Sequence, residues 1–419
     1  MSSANRRPVS QRASSTVFYG LAIGSGVFRT FSVGFDVVAL NTVANQPIVY
    51  GFLSQWTSFV VTLACIATLS LRIGKGEKRR PLGYRLDPDF GRLSLLPRKP
   101  MMYLAAAGVF AGISTFYYYT IVGSSDASAM LPYGQLVIVY LLLGDLWSDK
   151  DTPTIIELQC ITSILIGVLL VGVAPGGFDL PTLLVVLIPM NVSSAFVTYF
   201  QRVTKRFEIS PGLRVDSLNM RLWMLFVLNC VMSVLMIPLL TSESLDAMSF
   251  YFQPYLVYMV GSSLAAFLTL VFYVRALGRG SMSIVNALSA ISVVLGIPLT
   301  LGGNLIAPGA FGVVSADGFI WTLKIFGVAL VMVGILSLQA TEVRSLVLIS
   351  VKQLTGDLLP ALFDIKGVQS AAALAGSHDY LLYIKSRSLG KTRANILEKI
   401  QAIPEVSEIE TLVVLSDYR

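Results

Sequence analysis

Ten long apolar runs fill the first 341 residues of this chain and leave few folds open to it. The hydrocarbon core of a bilayer requires roughly 20 apolar residues per helix, which is about the length of each run. Over the whole chain, 54% of the residues are hydrophobic and only 13% are charged, whereas soluble domains carry about 25% charged residues. We therefore expect a polytopic, all-α membrane protein. The predicted spans are residues 17–40, 48–71, 101–121, 126–146, 154–173, 181–201, 221–240, 254–275, 281–302 and 318–341.

The distribution of basic residues between these runs indicates an orientation. Cytoplasmic loops of membrane proteins carry an excess of Lys and Arg. Every second connection lacks both residues, and each of the other connections contains at least one of them; we count Arg221 among the loop charges. This alternation predicts ten spans in the cell (plasma) membrane with both termini in the cytoplasm. The connections without Lys or Arg are 41–47, 122–125, 174–180, 241–253 and 303–317.

A sequence repeat relates the two halves of the apolar part. Residues 116–131 read FYYYTIVGSSDASAML and residues 271–286 read VFYVRALGRGSMSIVN. Each copy leads to a further apolar run, built around IGVLLVGV (166–173) or FGVALVMVGI (326–335). Two similar halves of five spans must cross the bilayer in opposite directions, which is the inverted repeat of many secondary transporters. The ungapped alignment matches Tyr118 with Tyr273, Gly123 with Gly278 and Ser128 with Ser283.

The composition divides the chain into four segments. Residues 1–16 form a polar cytoplasmic tail, 17–173 the first five-helix repeat, and 174–341 the second. Residues 345–419 show strand and helix patterns in the order βαββαβ, which predicts a small α+β domain of the ferredoxin-like type. Domains of this size have small cores and often pair, so we expect a homodimer through this domain. The predicted strands are 345–352, 368–376, 379–386 and 406–416, and the helices are 354–365 and 389–403.

Two charged residues in the first span are candidates for a substrate site. Arg29 and Asp36 lie seven residues apart, so they share one face of a helix. A charge inside the bilayer costs at least about 2.5 kcal/mol and usually faces a cavity or a partner. The functional interpretation is a substrate or proton site. The alternatives are a structural ion pair and, for Asp36, a position at the outer interface.

Further polar residues at membrane depth outline a central path. Tyrosines there either line a cavity or form the aromatic belt at the interface, and we favour the belt for Tyr119 and a shared structural role for Tyr118 and Tyr273. Asn, Gln and Ser side chains either bond between helices or contact a polar solute. With Arg29 and Asp36, the candidate substrate site comprises Tyr117, Tyr118, Tyr133, Gln135, Asn191, Ser194, Tyr273 and Asn286.

The segment VYLLLGDLWSDKDTPTIIELQCITSILIGVLLVGV (139–173) resembles the end of the repeat in EamA-type members of the drug/metabolite transporter superfamily. Asp145 stands where that family usually has Glu, and we expect it to be structural. The resemblance implies ten spans, secondary transport of a small metabolite and, more specifically, export.

The C-terminal segment resembles the ligand-binding (RAM) domain of Lrp/AsnC-type regulators. The matching strings are IKGV (365–368), AGSHDYLLYI (375–384), IQAIPEV (400–406) and TLVVL (411–415). Such domains oligomerise and bind small effectors, often amino acids, which makes Gly376, His378 and Asp379 the candidate effector-binding turn. His378 replaces the aromatic residue usual in the family. No helix-turn-helix accompanies the domain, so DNA binding is not implied.

These observations predict a secondary transporter, and more specifically an exporter, of a small polar metabolite such as an amino acid. The C-terminal domain either binds an effector or assembles the protein. The alternative is a membrane-anchored receptor that senses a small molecule without transporting it. No string in the sequence resembles a nucleophile–base pair, a P-loop or a metal cluster, so we expect no enzyme activity, cofactor or metal. The expected partners are a small-molecule substrate and the lipid bilayer, and no nucleic acid.

Overall fold

The computed structural model describes residues 11–73, 80–122, 127–149, 155–173, 180–210, 213–312, 317–340, 343–352, 358–363, 365, 368–386 and 396–413. The chain forms two units, of which one contains most of the helices and the other contains the C-terminal sheet. Residues 1–10 of the predicted tail lie outside the described residues, and the remainder is helical from Gln11 onward. Gly123, one of the residues matched in the repeat, also lies outside them.

The first unit is a bundle of α-helices with two short antiparallel hairpins, β1–β2 and β3–β4. Its elements in chain order are α1 (Gln11–Thr42), α2 (Pro47–Leu69), β1 (Arg72–Ile73), β2 (Arg80–Pro81), α3 (Arg98–Val122), α4 (Ala127–Tyr133), α5 (Ile138–Asp149), α6 (Ile155–Val171), α7 (Leu180–Val185), α8 (Ser193–Arg206), β3 (Glu208–Ser210), β4 (Leu213–Arg214), α9 (Ser217–Met236), α10 (Ser242–Leu277), α11 (Met282–Ser289), α12 (Ile291–Ile306) and α13 (Gly318–Ala340).

Seven helical segments in the described part of the chain are long and apolar enough to cross a membrane, which is consistent with a membrane protein. Each overlaps one of the predicted spans, and two shorter apolar helices, Met130–Asp145 and Leu158–Val171, overlap two more. The total of ten spans remains a prediction. The seven segments are Val17–Thr42, Pro47–Leu69, Arg98–Val122, Ser217–Leu239, Ser242–Leu277, Met282–Ile306 and Gly318–Ser337.

One predicted boundary is wrong by three helical turns. The connection predicted at 241–253 is helical, because α10 already begins at Ser242. The Thr241 hydroxyl accepts a hydrogen bond from the Ser244 backbone N–H at 3.3 Å and so caps this helix. Glu243 lies in the first turn, where a negative charge interacts favourably with the helix dipole. Local capping therefore extends α10 beyond its apolar run.

The fourth and ninth predicted spans are broken helices. A turn at residues 134–137 separates α4 from α5, and its Gln135 N–H bonds to the Pro132 carbonyl at 2.8 Å. The ninth span breaks at Ala290, between α11 and α12. Pro132, near the end of α4, removes one N–H donor from the helix just before the first break. The four half-helices pack crosswise, α4 against α12 and α5 against α11. The two breaks lie in spans that are five apart in the chain, which is the spacing of equivalent elements in the predicted repeat.

The sixth predicted span is irregular as well. It comprises α7, a π-helical segment Val186–Val192 that contains Pro189, and α8. Single π-turns inside α-helices are uncommon and occur often at functional sites. This segment orients Asn191 and Ser194 towards the interior of the bundle, where Asn191 is buried.

Apolar packing on two sides fixes helix α9. Leu218 and Leu222 lie in one cluster with Ile66 of α2 and Phe267 of α10. Met220 and Met224 lie in another with Leu104 and Ala107 of α3. At its start, the Asp216 carboxylate accepts the Asn219 backbone N–H at 2.7 Å and caps the helix. The residue between these two packed faces, Arg221, is buried in the bundle.

A buried ionic network joins the loop after α2 to the connection between α8 and α9. The Lys205 ammonium donates to Asp87 at 3.0 Å, to Asp89 at 2.9 Å and to the Val215 carbonyl at 2.8 Å. Asp87 also accepts the Ser217 backbone N–H at 2.7 Å. Burial by itself would raise the pKa of Asp87, but Lys205 and the hydrogen bonds from Ser217 outweigh it and hold the pKa below its usual value.

The C-terminal unit contains a four-stranded antiparallel sheet in the order β6-β7-β5-β8. The predicted α+β character is confirmed, and the strands match the predicted ones to within three residues wherever they are described. Parts of both predicted helices, namely residues 354–357, 364 and 389–395, and the strand end 414–416 lie outside the described residues. The elements are β5 (Val343–Val351), α14 (Leu359–Phe363), β6 (Val368–Ala373), β7 (Tyr380–Ser386), α15 (Glu398–Gln401) and β8 (Val406–Val413).

Alternating apolar residues of the strands form the core of this unit. Val347 and Ile349 of β5 and Leu382 and Ile384 of β7 are fully buried, and they pack with Ile400. Pro360 lies in the first turn of α14, where the missing N–H is not needed. The sheet is therefore covered on one face, as the period-two pattern of the sequence predicts.

Candidate functional site

A polar cavity of about 310 Å³ lies inside the helical unit. This volume is at the lower end of the range for small-molecule sites, about 300–1,000 Å³. Its lining comes from α1, α2, α3, α8, α9, α10, α11 and the break between α4 and α5. Six of the ten predicted substrate-site residues line it: Arg29, Asp36, Tyr118, Ser194, Tyr273 and Asn286.

Tyrosine hydroxyls hold the carboxylate of Asp36 in the cavity wall. Tyr50 donates to Oδ1 at 2.8 Å and Tyr118 donates to Oδ2 at 3.1 Å. Asp36 is 4% exposed, so its side chain is enclosed by the helices. An ionised carboxylate has about four lone-pair sites, and the two tyrosines occupy two of them. Tyr118 thus has a positioning role that the repeat alignment did not predict.

Arg29 lies on the same face of α1 as Asp36, seven residues earlier in the chain. Its guanidinium contacts the backbone of Gly134. A Cβ atom at Gly134 would collide with the Arg29 Nη2 atom. Within the part of the chain that the structure describes, no carboxylate lies within salt-bridge distance of Arg29. The structural ion pair with Asp36 is therefore not formed. A guanidinium without a counter-ion is costly to bury, so an anion in the cavity would stabilise it.

A second guanidinium, that of Arg221, faces the same cavity. Arg221 is 6% exposed, and its Nη2 atom lies 3.5 Å from the Ser58 hydroxyl. The Nε atom has no hydrogen-bond partner among the described residues. Sequence analysis placed Arg221 in a loop because the apolar run begins there, yet α9 starts one turn earlier, at Ser217.

The remaining predicted residues lie beside the cavity rather than in its lining. The Gln135 side chain donates to the Ser292 hydroxyl at 3.2 Å, which joins the two helix breaks. Asn191 donates to the Tyr133 carbonyl at 2.9 Å and supports the break between α4 and α5. Tyr117 packs edge-on against Phe116. Within the described residues, Gln135 and Asn191 support the broken helices, and none of Tyr117, Tyr133, Gln135 and Asn191 lines the cavity.

Tyr119 is not part of an aromatic belt. It is 1% exposed, lines the cavity and accepts a hydrogen bond from Gln55 at 3.1 Å. The belt interpretation fails because the third span continues to Val122, which leaves Tyr119 inside the helix. Tyr273 and Ser194 bond to neighbours in the same wall, Tyr273 to Thr198 at 3.3 Å and Ser194 to Ser114 at 2.7 Å.

Small polar residues that the sequence analysis passed over complete the lining. On α1 they are Ser25 and Ser32, which with Arg29 and Asp36 recur at intervals of four, three and four residues. The same spacing on α10 brings Ser262, Thr269 and Tyr273 to one face. Such a polar stripe in an apolar helix is the signal that identifies them. The other polar lining residues are Ser54, Gln55, Ser58, Ser114, Thr115, Thr198, Gln201, Ser263 and Ser289.

In the C-terminal unit, the predicted effector turn connects β6 to β7. The Asp379 carboxylate accepts the Val351 backbone N–H at 2.8 Å, so it fastens the turn to the end of β5. His378 Nδ1 lies 3.0 Å from the Ser350 hydroxyl, and its Nε2 lies 3.5 Å from Glu410. Gly376 is in open space. Asp379 therefore has a structural role, and His378 and Gly376 lie at the surface of the turn.

In comparisons with known proteins, one family model matches part of the chain. Residues 346–419 match the family model of the Lrp/AsnC ligand binding domain. Comparison with curated proteins returns no match. Among solved structures, one titled "Crystal structure of protein" shares 14% identity at a TM-score of 0.47, over 75% of this chain and 97% of that chain. Residues 346–419 are therefore an Lrp/AsnC ligand-binding domain, which follows a helical part with seven membrane-capable helices.

Proposed function

We propose that this protein is a secondary transporter of a small polar metabolite, with amino acids or related compounds as the first candidates, and that it is not an enzyme. The observation that carries the proposal is the buried polar cavity with Arg29 and Asp36 in its wall. A cavity of this kind inside a membrane bundle suits a solute that must leave water. The EamA-like sequence features support export as the direction.

The two helix breaks support transport rather than a fixed receptor. Transporters build their substrate sites from discontinuous helices at corresponding positions of two inverted halves, and one half then rocks against the other. The break at 134–137 lies against Arg29, and Asn286 and Ser289 just before the second break line the cavity. The crosswise packing of α4 on α12 and α5 on α11 is the arrangement expected of a pseudo-two-fold pair.

The second candidate function is a membrane receptor that binds the solute and signals through its C-terminal domain. The Lrp/AsnC ligand-binding domain favours it, because such a domain senses a ligand without transport. Counterflow in proteoliposomes separates the two functions. A transporter exchanges labelled amino acid for internal unlabelled solute in a saturable manner, whereas a receptor shows binding but no exchange above empty liposomes.

We further propose that the C-terminal domain pairs with a second copy and binds a cytoplasmic effector near Gly376 and His378. Control of transport by an effector requires different affinities for the two transport states, and the coupling is then reciprocal. The test compares the full chain with one truncated after Glu342 and with His378→Ala. Wild-type dependence of export on internal solute in both variants would identify the domain as an assembly module.

A further inference from the structure

The charged groups of the cavity indicate which class of amino acid would bind there. Among the described residues, its lining contains three that carry a charge at neutral pH, namely Arg29, Arg221 and Asp36. Two guanidinium groups against one carboxylate leave the cavity with an excess positive charge when all three are ionised. A solute that pairs with each of the three groups therefore carries two anionic groups and one cationic group.

The three charged residues reach the cavity from two helices, α1 and α9. Asp36 lies seven residues beyond Arg29 on α1, which is about 10.5 Å along the helix, and is held by Tyr50 and Tyr118. Arg29 lies against the backbone at Gly134. Arg221 is on another helix, α9, beside Ser58 of α2.

Three features of Arg221 indicate that it binds a ligand. It is more than nine-tenths buried, it faces the cavity, and its Nε has no partner among the described residues. The Asn286 amide nitrogen, at 1% exposure in the same wall, also lacks a partner there. Burying an unpaired guanidinium is unfavourable, and a carboxylate would engage its fork with charge-assisted hydrogen bonds.

We propose that Arg221 is a second anion-binding residue and that the solute is an acidic α-amino acid. This inference rests on the proposed transport function. The α-carboxylate and the ammonium group, which share one carbon atom, bind between Arg29 and Asp36, and the side-chain carboxylate binds at Arg221. A neutral amino acid leaves Arg221 unpaired, and a dicarboxylate without an amine leaves Asp36 unpaired, so both bind less tightly.

Three probes of nearly equal size test the assignment on the purified full-length protein. Glutamate has all three charged groups, glutamine lacks the second carboxylate, and glutarate lacks the ammonium group. Calorimetry on the wild type should rank glutamate above both of the others. Equal affinity for glutamate and glutamine would overturn the role of Arg221, and this comparison requires no variant that must fold.

Substitution at Arg221 supplies the second test. Arg221→Met should weaken glutamate binding by at least about 10-fold, which corresponds to about 1.4 kcal/mol, and should leave glutamine binding unchanged. The matched control is Arg279→Met, since Arg279 is exposed and does not line the cavity; it should bind glutamate as the wild type does. An equal loss of affinity for glutamate and glutamine in Arg221→Met would show that Arg221 supports the fold and not the solute.

Counterflow distinguishes failure of this inference from failure of the transport function. Saturable exchange of neutral amino acids without preference for glutamate would leave transport standing and overturn the second anion site. Arg221-dependent binding of glutamate without any exchange would uphold the site and overturn transport.

Discussion

Gly167 of α6 and Gly327 of α13 approach each other so closely that neither has room for a side chain. A Cβ atom at Gly167 would lie 2.5 Å from the Gly327 carbonyl oxygen, and one at Gly327 would lie 2.6 Å from the Gly167 carbonyl oxygen. The two glycines hold the same place in the runs IGVLLVGV and FGVALVMVGI. A reciprocal contact between matching residues is what two inverted repeats related by a pseudo-two-fold axis would produce.

Gly167→Ala should therefore destabilise the helical unit. Small residues permit close helix packing in membranes, and overpacking costs about 1–3 kcal/mol. The measurement is the melting temperature in detergent. Gly302→Ala is the matched control, since Gly302 is also helical but has no atom within 4 Å of its built Cβ. A melting temperature for Gly167→Ala equal to that of Gly302→Ala would contradict the close contact.

The buried pair Asp145–Arg202 should be strongly coupled. Arg202 Nη1 donates to Asp145 at 2.8 Å, with both side chains nearly inaccessible, and Asp145 also accepts the backbone N–H groups of Met282 and Ser283. Removing one partner of a buried pair costs about 3–5 kcal/mol. Asp145→Asn and Arg202→Met should each lower the melting temperature, and the double variant should lose less than the sum.

The exposed pair Arg214–Glu208 is the control for that cycle. Its atoms are 3.7 Å apart and its side chains are 49% and 55% exposed. Exposed pairs contribute about 0–1 kcal/mol, so Glu208→Gln should leave the melting temperature almost unchanged. Additive effects at Asp145 and Arg202 would show that their contact does not stabilise the fold.

The network around Asp87 predicts a pH dependence of stability. The folded-state pKa of Asp87 is depressed, so its contribution is present above the unfolded value of about 3.9 and is lost as the pH falls through the folded pKa. Asp87→Asn should lower the melting temperature at pH 7, and its difference from the wild type should shrink below about pH 4. Asp246→Asn, at an exposed position of α10, should show no such pattern. A difference at Asp87 that is constant from pH 3 to pH 8 would rule out this account.

Topology is tested by cysteines on the two predicted sides of the membrane. In a background without Cys65, Cys160 and Cys230, a cysteine at Asp246 should react with an impermeant thiol reagent added outside intact cells. A cysteine at Leu95, a loop residue that is 71% exposed, should react only after permeabilisation. The positive-inside distribution requires this pattern, and the reverse labelling would refute the predicted orientation.

Periodicity made part of this architecture predictable. The apolar runs identified the membrane helices because length and hydropathy suffice for that purpose. The seven-residue spacing brought Arg29 and Asp36 to one face, and both line the cavity. The alternating strands of residues 345–413 predicted the sheet, since period-two patterns are specific to strands.

Other features depend on long-range packing that no local pattern records. The breaks at Gln135 and Ala290 arise where crossing half-helices meet, and a hydropathy window averages over them. Arg221 was assigned to a loop because its charge marks the start of the apolar run. Apolar contacts on both sides of α9 nevertheless place it inside the bundle. The contact between Arg29 and Gly134 joins residues 105 positions apart, which only the folded chain brings together.

The central claim is that the cavity around Arg29 is the transport site, and counterflow with matched variants tests it most directly. Arg29→Ala removes the anion-binding group, and Gly134→Ala should displace the same guanidinium without changing a charge. At equal reconstituted amounts, wild type and Gly302→Ala should exchange labelled amino acid in a saturable manner, and Arg29→Ala and Gly134→Ala should lose at least about 90% of the rate, a tenfold change that corresponds to about 1.4 kcal/mol. Exchange by Arg29→Ala at the wild-type rate would contradict the claim.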